Sequence, residues 1–344
     1  MKITVQSKSG THVFDCGEQE SILHAGLRQG LTLPYECATG TCGTCRARVM
    51  TGQAEMRWLE APGGARLKRD KGDVLMCQTR ARSDCEVAVP SPIVVANGAP
   101  PAARDGVIRN IRHLAPDVAG FDVRLSAPMT FEAGQFVVIE ADGFPGGRAY
   151  SMVNFETEVD TIALVIKRKP GGSFSEWLFR EGQKEPRVNV FGPLGRAVFR
   201  GDEGKNIVCI AGGSGIAGMM SILECASRNA YFRAHRGAVY FGVRTALDAF
   251  YLEPLSHYAA TSHGNLDIIV AFSHEAAAGP VHADFPGLKL ARGMVHEVAG
   301  NAMDGRLGDA LFYVAGPPVM VDATIRALVV GGVSSRDIRY DKFA

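Results

Sequence analysis

Four cysteines constrain this chain more than any other feature. Three stand in Cys37-Ala38-Thr39-Gly40-Thr41-Cys42-Gly43-Thr44-Cys45, and 31 residues intervene before the fourth, Cys77. Four residues separate the first pair and two the second. That is the plant-type spacing for a [2Fe–2S] cluster, with three ligands on one loop and a fourth brought in by the fold. Each iron takes two soft thiolates besides the bridging sulfides. Gly40 and Gly43 suit a short loop that must adopt positive φ and aim N–H groups at sulfur. A zinc site would pair two short Cys knuckles or recruit histidine, and the sequence around Cys77 offers neither.

The remaining cysteines fit this reading. The chain has eight in 344 residues, too few for a disulfide scaffold. Ligating thiols must stay reduced, which predicts a cytoplasmic protein. Cys16 and Cys85 match neither spacing and read as small core residues. The opening Met1-Lys2-Ile3-Thr4-Val5-Gln6 turns polar at once and predicts no secretory signal. The longest uncharged apolar run, Ile207 to Leu223, has 17 residues with four glycines. It is short for a membrane span and reads better as strand, loop and helix. A formal net charge of +1, from 37 basic and 36 acidic residues, argues against nucleic acid as the main partner.

At this length two or three domains are expected. Residues 1–90 open with strand patterns at Ile3-Thr4-Val5 and His12-Val13-Phe14. A helix follows over Ser21 to Arg28, with Ile22, Leu23 and Leu27 on one face and Gly30 as its stop. Arg46 to Met50 leaves the cluster loop as a strand, and Leu75-Met76-Cys77 returns the fourth ligand. Basic residues number 12 and acidic 10 over this segment, so its docking face is not expected to be strongly acidic. Residues 91–103, with Pro92, Pro100 and Pro101, read as a linker. Residues 104–201 carry short β patterns at Gly106 to Arg109, Phe121 to Leu125, Gln135 to Ile139 and Thr161 to Ile166, which predict an antiparallel barrel. Residues 202–344 alternate strands with helices, which predicts a parallel sheet covered on both faces. Its strands are expected at Ile207 to Ile210, Ala238 to Phe241, Leu266 to Phe272 and Leu311 to Val314. Its helices include Gly218 to Asn229 and Val319 to Val330.

Three loops carry chemistry. Arg148-Ala149-Tyr150-Ser151 is expected just after a strand and a Gly-rich turn. An arginine there can pair bidentately with phosphate, and a tyrosine can lie against an isoalloxazine ring. Gly171-Gly172-Ser173-Phe174-Ser175 offers backbone N–H groups and a helix start to an anion. Gly212-Gly213-Ser214-Gly215 follows a strand and opens a helix, but lacks the Gly-x-Gly-x-x-Gly spacing. Gly316-Pro317-Pro318 follows a later strand. Both of the last two fall at carboxyl ends of parallel strands, where such sheets bind ligands.

On these motifs the chain resembles the NADH-dependent reductase components of bacterial multicomponent oxygenases. These join a plant-type ferredoxin domain to a ferredoxin–NADP reductase-like flavin and nucleotide unit. The resemblance implies a multidomain α+β and α/β protein: a β-grasp [2Fe–2S] domain, an antiparallel β-barrel flavin domain and a parallel-sheet nucleotide domain. It implies Cys37, Cys42, Cys45 and Cys77 as cluster ligands. It assigns Arg148, Tyr150 and Ser151 to the flavin motif, Gly171, Gly172, Ser173 and Ser175 to a phosphate loop, and Ile166 and Lys167 to the same cofactor. Gly212, Gly213, Ser214, Gly215, Gly316 and Pro317 become the nucleotide loops, and Arg244 lies near the adenosine ribose. Ser151, Ala315 and Phe343 are expected at the hydride-transfer point. FAD is favoured over FMN, and NADH would give a hydride to the flavin, which passes electrons singly to the cluster.

The implied partner is an oxygenase component or its small ferredoxin, with the reductase a monomer. Trp58 to Gly63 and the ending Arg339-Tyr340-Asp341-Lys342-Phe343 resemble reductases of toluene-type di-iron monooxygenases. A Rieske-type dioxygenase as partner is one alternative, and a non-catalytic redox sensor with the same cofactors another. Two positions depart from the family. Gly218 stands where proline is usual, which predicts a looser helix start. Ala315 stands where cysteine precedes Gly-Pro-Pro.

Overall fold

The computed structural model describes all residues except 97, 182–184, 275–283, 304–308 and 343–344. It divides into two compact units. The first comprises Met1–Arg104, Val137–Ala149 and Asn189–Leu194; the second comprises Asp105–Phe136, Tyr150–Val188 and Gly195–Ala344.

Residues 1–88 supply β1 (Lys2–Ser7), β2 (Gly10–Asp15), α1 (Ile22–Arg28), β3 (Arg46–Thr51), β4 (Ala54–Met56), β5 (Asp73–Leu75), β6 (Thr79–Ala81) and β7 (Cys85–Ala88). The main sheet runs β2-β1-β7-β3-β5, and β4 pairs with β6 apart from it. β1 is antiparallel to β2 and parallel to β7. Ser21 caps α1, its side chain accepting from the His24 N–H, which satisfies an otherwise orphan donor. Ile22, Leu23 and Leu27 are buried along one face of α1, as their spacing predicts. Cys16 and Cys85 lie in this core, and burial pushes the Cys16 thiol up to about 11.

The expected linker is partly tied down. Ile93 is buried, and its N–H donates to Ser9 Oγ at 2.8 Å. The Thr32 N–H donates to Val94 O at 2.9 Å and the Ala96 N–H to Gly30 O at 2.7 Å, while Val95 bridges Leu31. Apolar Ile93 finds the ferredoxin-side core despite the prolines around it.

The middle segment supplies β8 (Ala102–Ala115), β9 (Val118–Met129), β10 (Phe136–Ala141), β11 (Phe144–Ser151), β12 (Val159–Lys167), α2 (Ser173–Glu181) and β13 (Arg187–Leu194). Its strands are ordered β11-β10-β13-β8-β9-β12. β9 is antiparallel to both β8 and β12. The arginine motif does not follow a strand, as expected, but ends one. Pro145, Gly146 and Gly147 read as a turn, yet lie inside β11, where Gly146 takes φ +82.

The last segment supplies β14 (Asn206–Gly212), α3 (Ile216–Arg228), β15 (Gly237–Val243), α4 (Leu252–Thr261), β16 (Leu266–Phe272), β17 (Lys289–Arg292), α5 (Val295–Ala302), β18 (Ala310–Gly316), α6 (Pro318–Val330) and β19 (Ile338–Lys342). These strands form a parallel sheet ordered β17-β16-β15-β14-β18-β19. Alternate residues of β14 serve opposite faces. Ile207, Cys209 and Ala211 pack in one core with Met219 and Leu223 of α3 and Leu255 of α4. Val208 and Ile210 pack in the other with Val295 of α5 and Val321 and Leu328 of α6. Strands buried on both faces read as continuous apolar runs, and the run from Ile207 is the strand, loop and helix that its glycines predict. Among the described residues no helix is long and apolar enough to cross a membrane.

α3 starts at Ile216, two residues earlier than expected. Gly218 therefore lies inside its first turn, and Ser221 Oγ donates to Gly218 O at 2.9 Å while accepting from the Gly134 N–H at 2.8 Å. Through this buried hydroxyl the carbonyl of Gly218 is tied to the chain at Gly134.

Candidate functional site

The four cysteines gather in two pairs. The N–H of Cys42 donates to Cys37 Sγ at 3.4 Å, and Sγ of Cys45 and Cys77 approach to 3.2 Å. Among the described residues no three His, Cys, Asp or Glu side chains converge as a single metal ion would require. Two pairs are what a two-iron cluster uses, since each iron takes two thiolates. The loop also aims N–H groups at sulfur: Thr39 at Cys37 Sγ (3.4 Å) and Thr44 at Cys42 Sγ (3.5 Å). The Cys42 thiol and these loop donors push the Cys37 thiol down, while Cys37 and burial push Cys42 up, so the pair holds one proton between its two sulfurs. Gly40 and Gly43 take φ of +92 and +84, as a loop wrapped this tightly demands.

Sequence reasoning missed what covers that loop. The Gly63 N–H donates to Gly40 O at 2.9 Å. A Cβ on Gly63 would stand 2.4 Å from Gly43 N and 2.8 Å from Gly40 O. Residue 63 must therefore be glycine for the two loops to touch. The Pro62-Gly63-Gly64 cluster reads as an ordinary turn, and the resemblance over Trp58 to Gly63 gave no sign of this contact.

The flavin motif stands on β11. Arg148 Nη1 donates to Gly146 O at 2.8 Å. Tyr150 meets Phe121 edge to face, with centroids 5.7 Å apart. Ser151 is buried, and its Oγ has no hydrogen-bond partner. A buried hydroxyl left unsatisfied is costly, and this one fits a missing polar partner such as a flavin ring nitrogen. A Cβ on Gly218 would come within 3.4 Å of Ser151 Cβ and Oγ, so the glycine keeps the space beside that hydroxyl open.

The phosphate loop precedes α2. Gly171 takes φ +73. A Cβ on Gly172 would meet Ser175 Oγ at 2.8 Å and Lys169 O at 2.9 Å. Ser175 Oγ accepts from the Lys169 N–H at 3.1 Å, so its hydroxyl staples the loop itself. Ser173 is the first residue of α2, where N–H groups are free of helical partners.

The nucleotide loops close on each other. Gly212, Gly213, Ser214 and Gly215 turn from β14 into α3, and Gly213 takes φ +53. A Cβ on Gly215 would lie 2.3 Å from Ala315 O, and one on Gly316 2.6 Å from the Met320 side chain. Ala315 is buried opposite Ala211 of β14, and Pro317 caps α6. Lys167 and Arg244 share a carboxylate that sequence reading did not single out: Asp117 Oδ2 lies 3.2 Å from Lys167 Nζ and 3.3 Å from Arg244 Nη2. Arg244 also reaches Asp248 Oδ1 at 3.6 Å. Ile166 is buried on β12 beside Lys167. Phe343 lies outside the described residues.

Three domain families match in order. The 2Fe-2S iron-sulfur cluster binding domain covers residues 3–82, the oxidoreductase FAD-binding domain 105–199, and the oxidoreductase NAD-binding domain 209–326. The chain is 32% identical over 333 residues, 95% of its length, to ferredoxin–NAD(P)+ reductase CarAd of Metapseudomonas resinovorans, of which the match covers 96%. The chain belongs to this reductase family. The alkene monooxygenase system ferredoxin–NAD+ reductase component of Xanthobacter autotrophicus is 34% identical, with 96% of this chain and 97% of that one covered. The solved ferredoxin reductase in carbazole 1,9a-dioxygenase superposes with a TM-score of 0.86 at 30% identity, covering 100% of this chain and 99% of that one. The reductase is an oxidoreductase with a [2Fe–2S] domain, an FAD-binding barrel and an NAD-binding domain. Its domains fit electron transfer from NADH through FAD to the cluster.

Proposed function

We propose that this reductase is the monomeric, cytoplasmic NADH-oxidising component of a multicomponent oxygenase, with a di-iron hydroxylase or its small ferredoxin as acceptor. Bound FAD supplies the conversion from two-electron to one-electron chemistry, and the bound cluster carries electrons one at a time. The observation that carries this reading is the two-by-two pairing of Cys37 with Cys42 and Cys45 with Cys77. Those four hold the cluster. Arg148 and the Gly171–Ser175 loop bind the flavin phosphates, Tyr150 flanks its ring, and Ser151 hydrogen-bonds it. Gly212–Gly215 and Gly316-Pro317 admit the dinucleotide, and Ala315 lines the place where nicotinamide arrives. Asp117 and Asp248 already pair with Arg244, so its guanidinium is engaged rather than free for a 2′-phosphate, which favours NADH.

The test is Cys42→Ser. Serine is a harder and less acidic ligand, so the cluster is weakened or lost. NADH oxidation by ferricyanide, which can draw on flavin, survives, and cytochrome c reduction collapses. Wild-type iron content and visible spectrum in the variant would refute the ligand set. A second reading, a reductase for a Rieske-type dioxygenase, is supported by the likeness to the carbazole 1,9a-dioxygenase reductase. Reconstitution of NADH-driven hydroxylation with each oxygenase type separates the two.

A further inference from the structure

The segment that covers the cluster loop is itself exposed and unusually basic. Residues 57–72 contain five basic and two acidic residues, in a chain of net charge +1. Trp58 and Leu59, adjacent in sequence, are 39% and 54% exposed, so two large apolar side chains stand side by side at the surface. Four residues on, Gly63 rests against Gly40 and Gly43. The chain then folds back: the Leu67 N–H donates to Gly64 O at 3.1 Å, and the Arg69 guanidinium donates to Leu59 O. Arg69 is thereby tied to Leu59, and Arg66, Lys68 and Lys71 stand within three residues of it along the returning chain. All three are exposed, and none forms an ion pair among the described residues. On the other side of Gly63, Cys42 is half-buried and Thr44 exposed.

An apolar centre ringed by unpaired cations, laid over the loop that holds the cluster, is not a general solvated face. Glu60 and Asp70 are also exposed there, but the segment keeps a balance of +3. Electron tunnelling falls steeply with distance, so an acceptor gains most by docking where the cluster loop is thinnest. We infer that Trp58, Leu59 and the exposed edge of the cluster loop, ringed by Arg66, Lys68 and Lys71, dock an acidic protein surface of the electron-accepting component. This rests on the reductase reading and adds the face and the charge of its partner. Tryptophan and leucine supply desolvated contact at the centre, and the cations steer approach and set register.

The test uses the holoenzyme with NADH and two haem acceptors of opposite charge, acidic cytochrome b5 and basic cytochrome c. Wild type reduces cytochrome b5 with the lower KM, at a rate that falls as salt rises. Lys68→Glu/Lys71→Glu raises that KM about tenfold at unchanged kcat and lowers the KM for cytochrome c, because the steering field has changed sign. Leu59→Ser raises both KM values. Ferricyanide reduction is equal in all three proteins; its loss from wild type would defeat the reductase reading instead. An unchanged cytochrome b5 KM in the double variant, or a wild-type rate that climbs with salt, overturns the docking face. So does a drop from oligomer to monomer in the double variant by light scattering, which would make the face a contact between copies.

Discussion

The imidazole of His24 lies flat on the ring of Phe191, with centroids 4.0 Å apart and planes 11° from parallel. His24 stands on α1 of the ferredoxin domain, and Phe191 on β13 within the same unit. Nε2 of the imidazole is buried without a hydrogen-bond partner. Burial holds the ring neutral, pushing its pKa from 6.5 down to about 4, although the Glu140 and Glu20 carboxylates pull the other way. Below pH 6.5 the unfolded chain takes up a proton that the folded chain refuses until about pH 4. The unfolded state then binds more protons, so stability falls as pH falls through that window, by about 3 kcal/mol in all. In His24→Phe, which keeps a ring and loses the titration, the acid limb should flatten. Urea unfolding followed from pH 7 to pH 4.5 checks this, and parallel pH profiles for the two proteins would show that His24 does not govern it.

Gly63→Ala should cost the cluster. The new methyl meets Gly43 N at 2.4 Å and Gly40 O at 2.8 Å, so the loop carrying Cys42 must move. Overpacking of this kind costs about 1–3 kcal/mol. Iron content and visible absorbance should drop while FAD stays bound. Full iron in a folded variant would mean that the two loops separate freely.

Ser151→Ala should move stability and rate in opposite directions. Without FAD the buried hydroxyl has no partner, so its removal stabilises the apoprotein by about 1 kcal/mol. With FAD bound, loss of a hydrogen bond at the reacting ring should slow flavin reduction about tenfold, the equivalent of about 1.4 kcal/mol. Thermal melts of the apoprotein and stopped-flow reduction by NADH read the two effects. A variant that is destabilised as apoprotein and reduced at the wild-type rate would place the hydroxyl outside the flavin site.

Arg148→Ala should lower FAD affinity about 10- to 150-fold, since a charge-assisted contact is worth about 1.5–3 kcal/mol. Lysine should restore only part, because it lacks the planar fork. Equal titrations of apo wild type and Arg148→Ala with FAD would sink the assignment.

What the sequence revealed follows from the range of the physics. The cysteine spacing was legible because metal coordination fixes it within one loop. The sheet of the last segment was legible because strands buried on both faces leave apolar runs. β11 was not, since Pro145, Gly146 and Gly147 carry turn chemistry, and Gly146 keeps a positive φ inside the strand. Gly63, Asp117 and His24 were invisible for a different reason. Each acts on residues distant in sequence: Gly63 on Gly43, Asp117 on Arg244, His24 on Phe191. No periodicity records such a meeting.

The hydrogen bonds of Ile93, Val94 and Ala96 bear on how the module could be transplanted. A fusion cut at residue 90 would strip the backbone partners from Ser9, Gly30 and Thr32 and uncover the core contact of Ile93. The graft junction belongs after Ala96, in the Pro100-Pro101 stretch, where an exchange of reductase halves leaves the iron–sulfur module with its own last stitch.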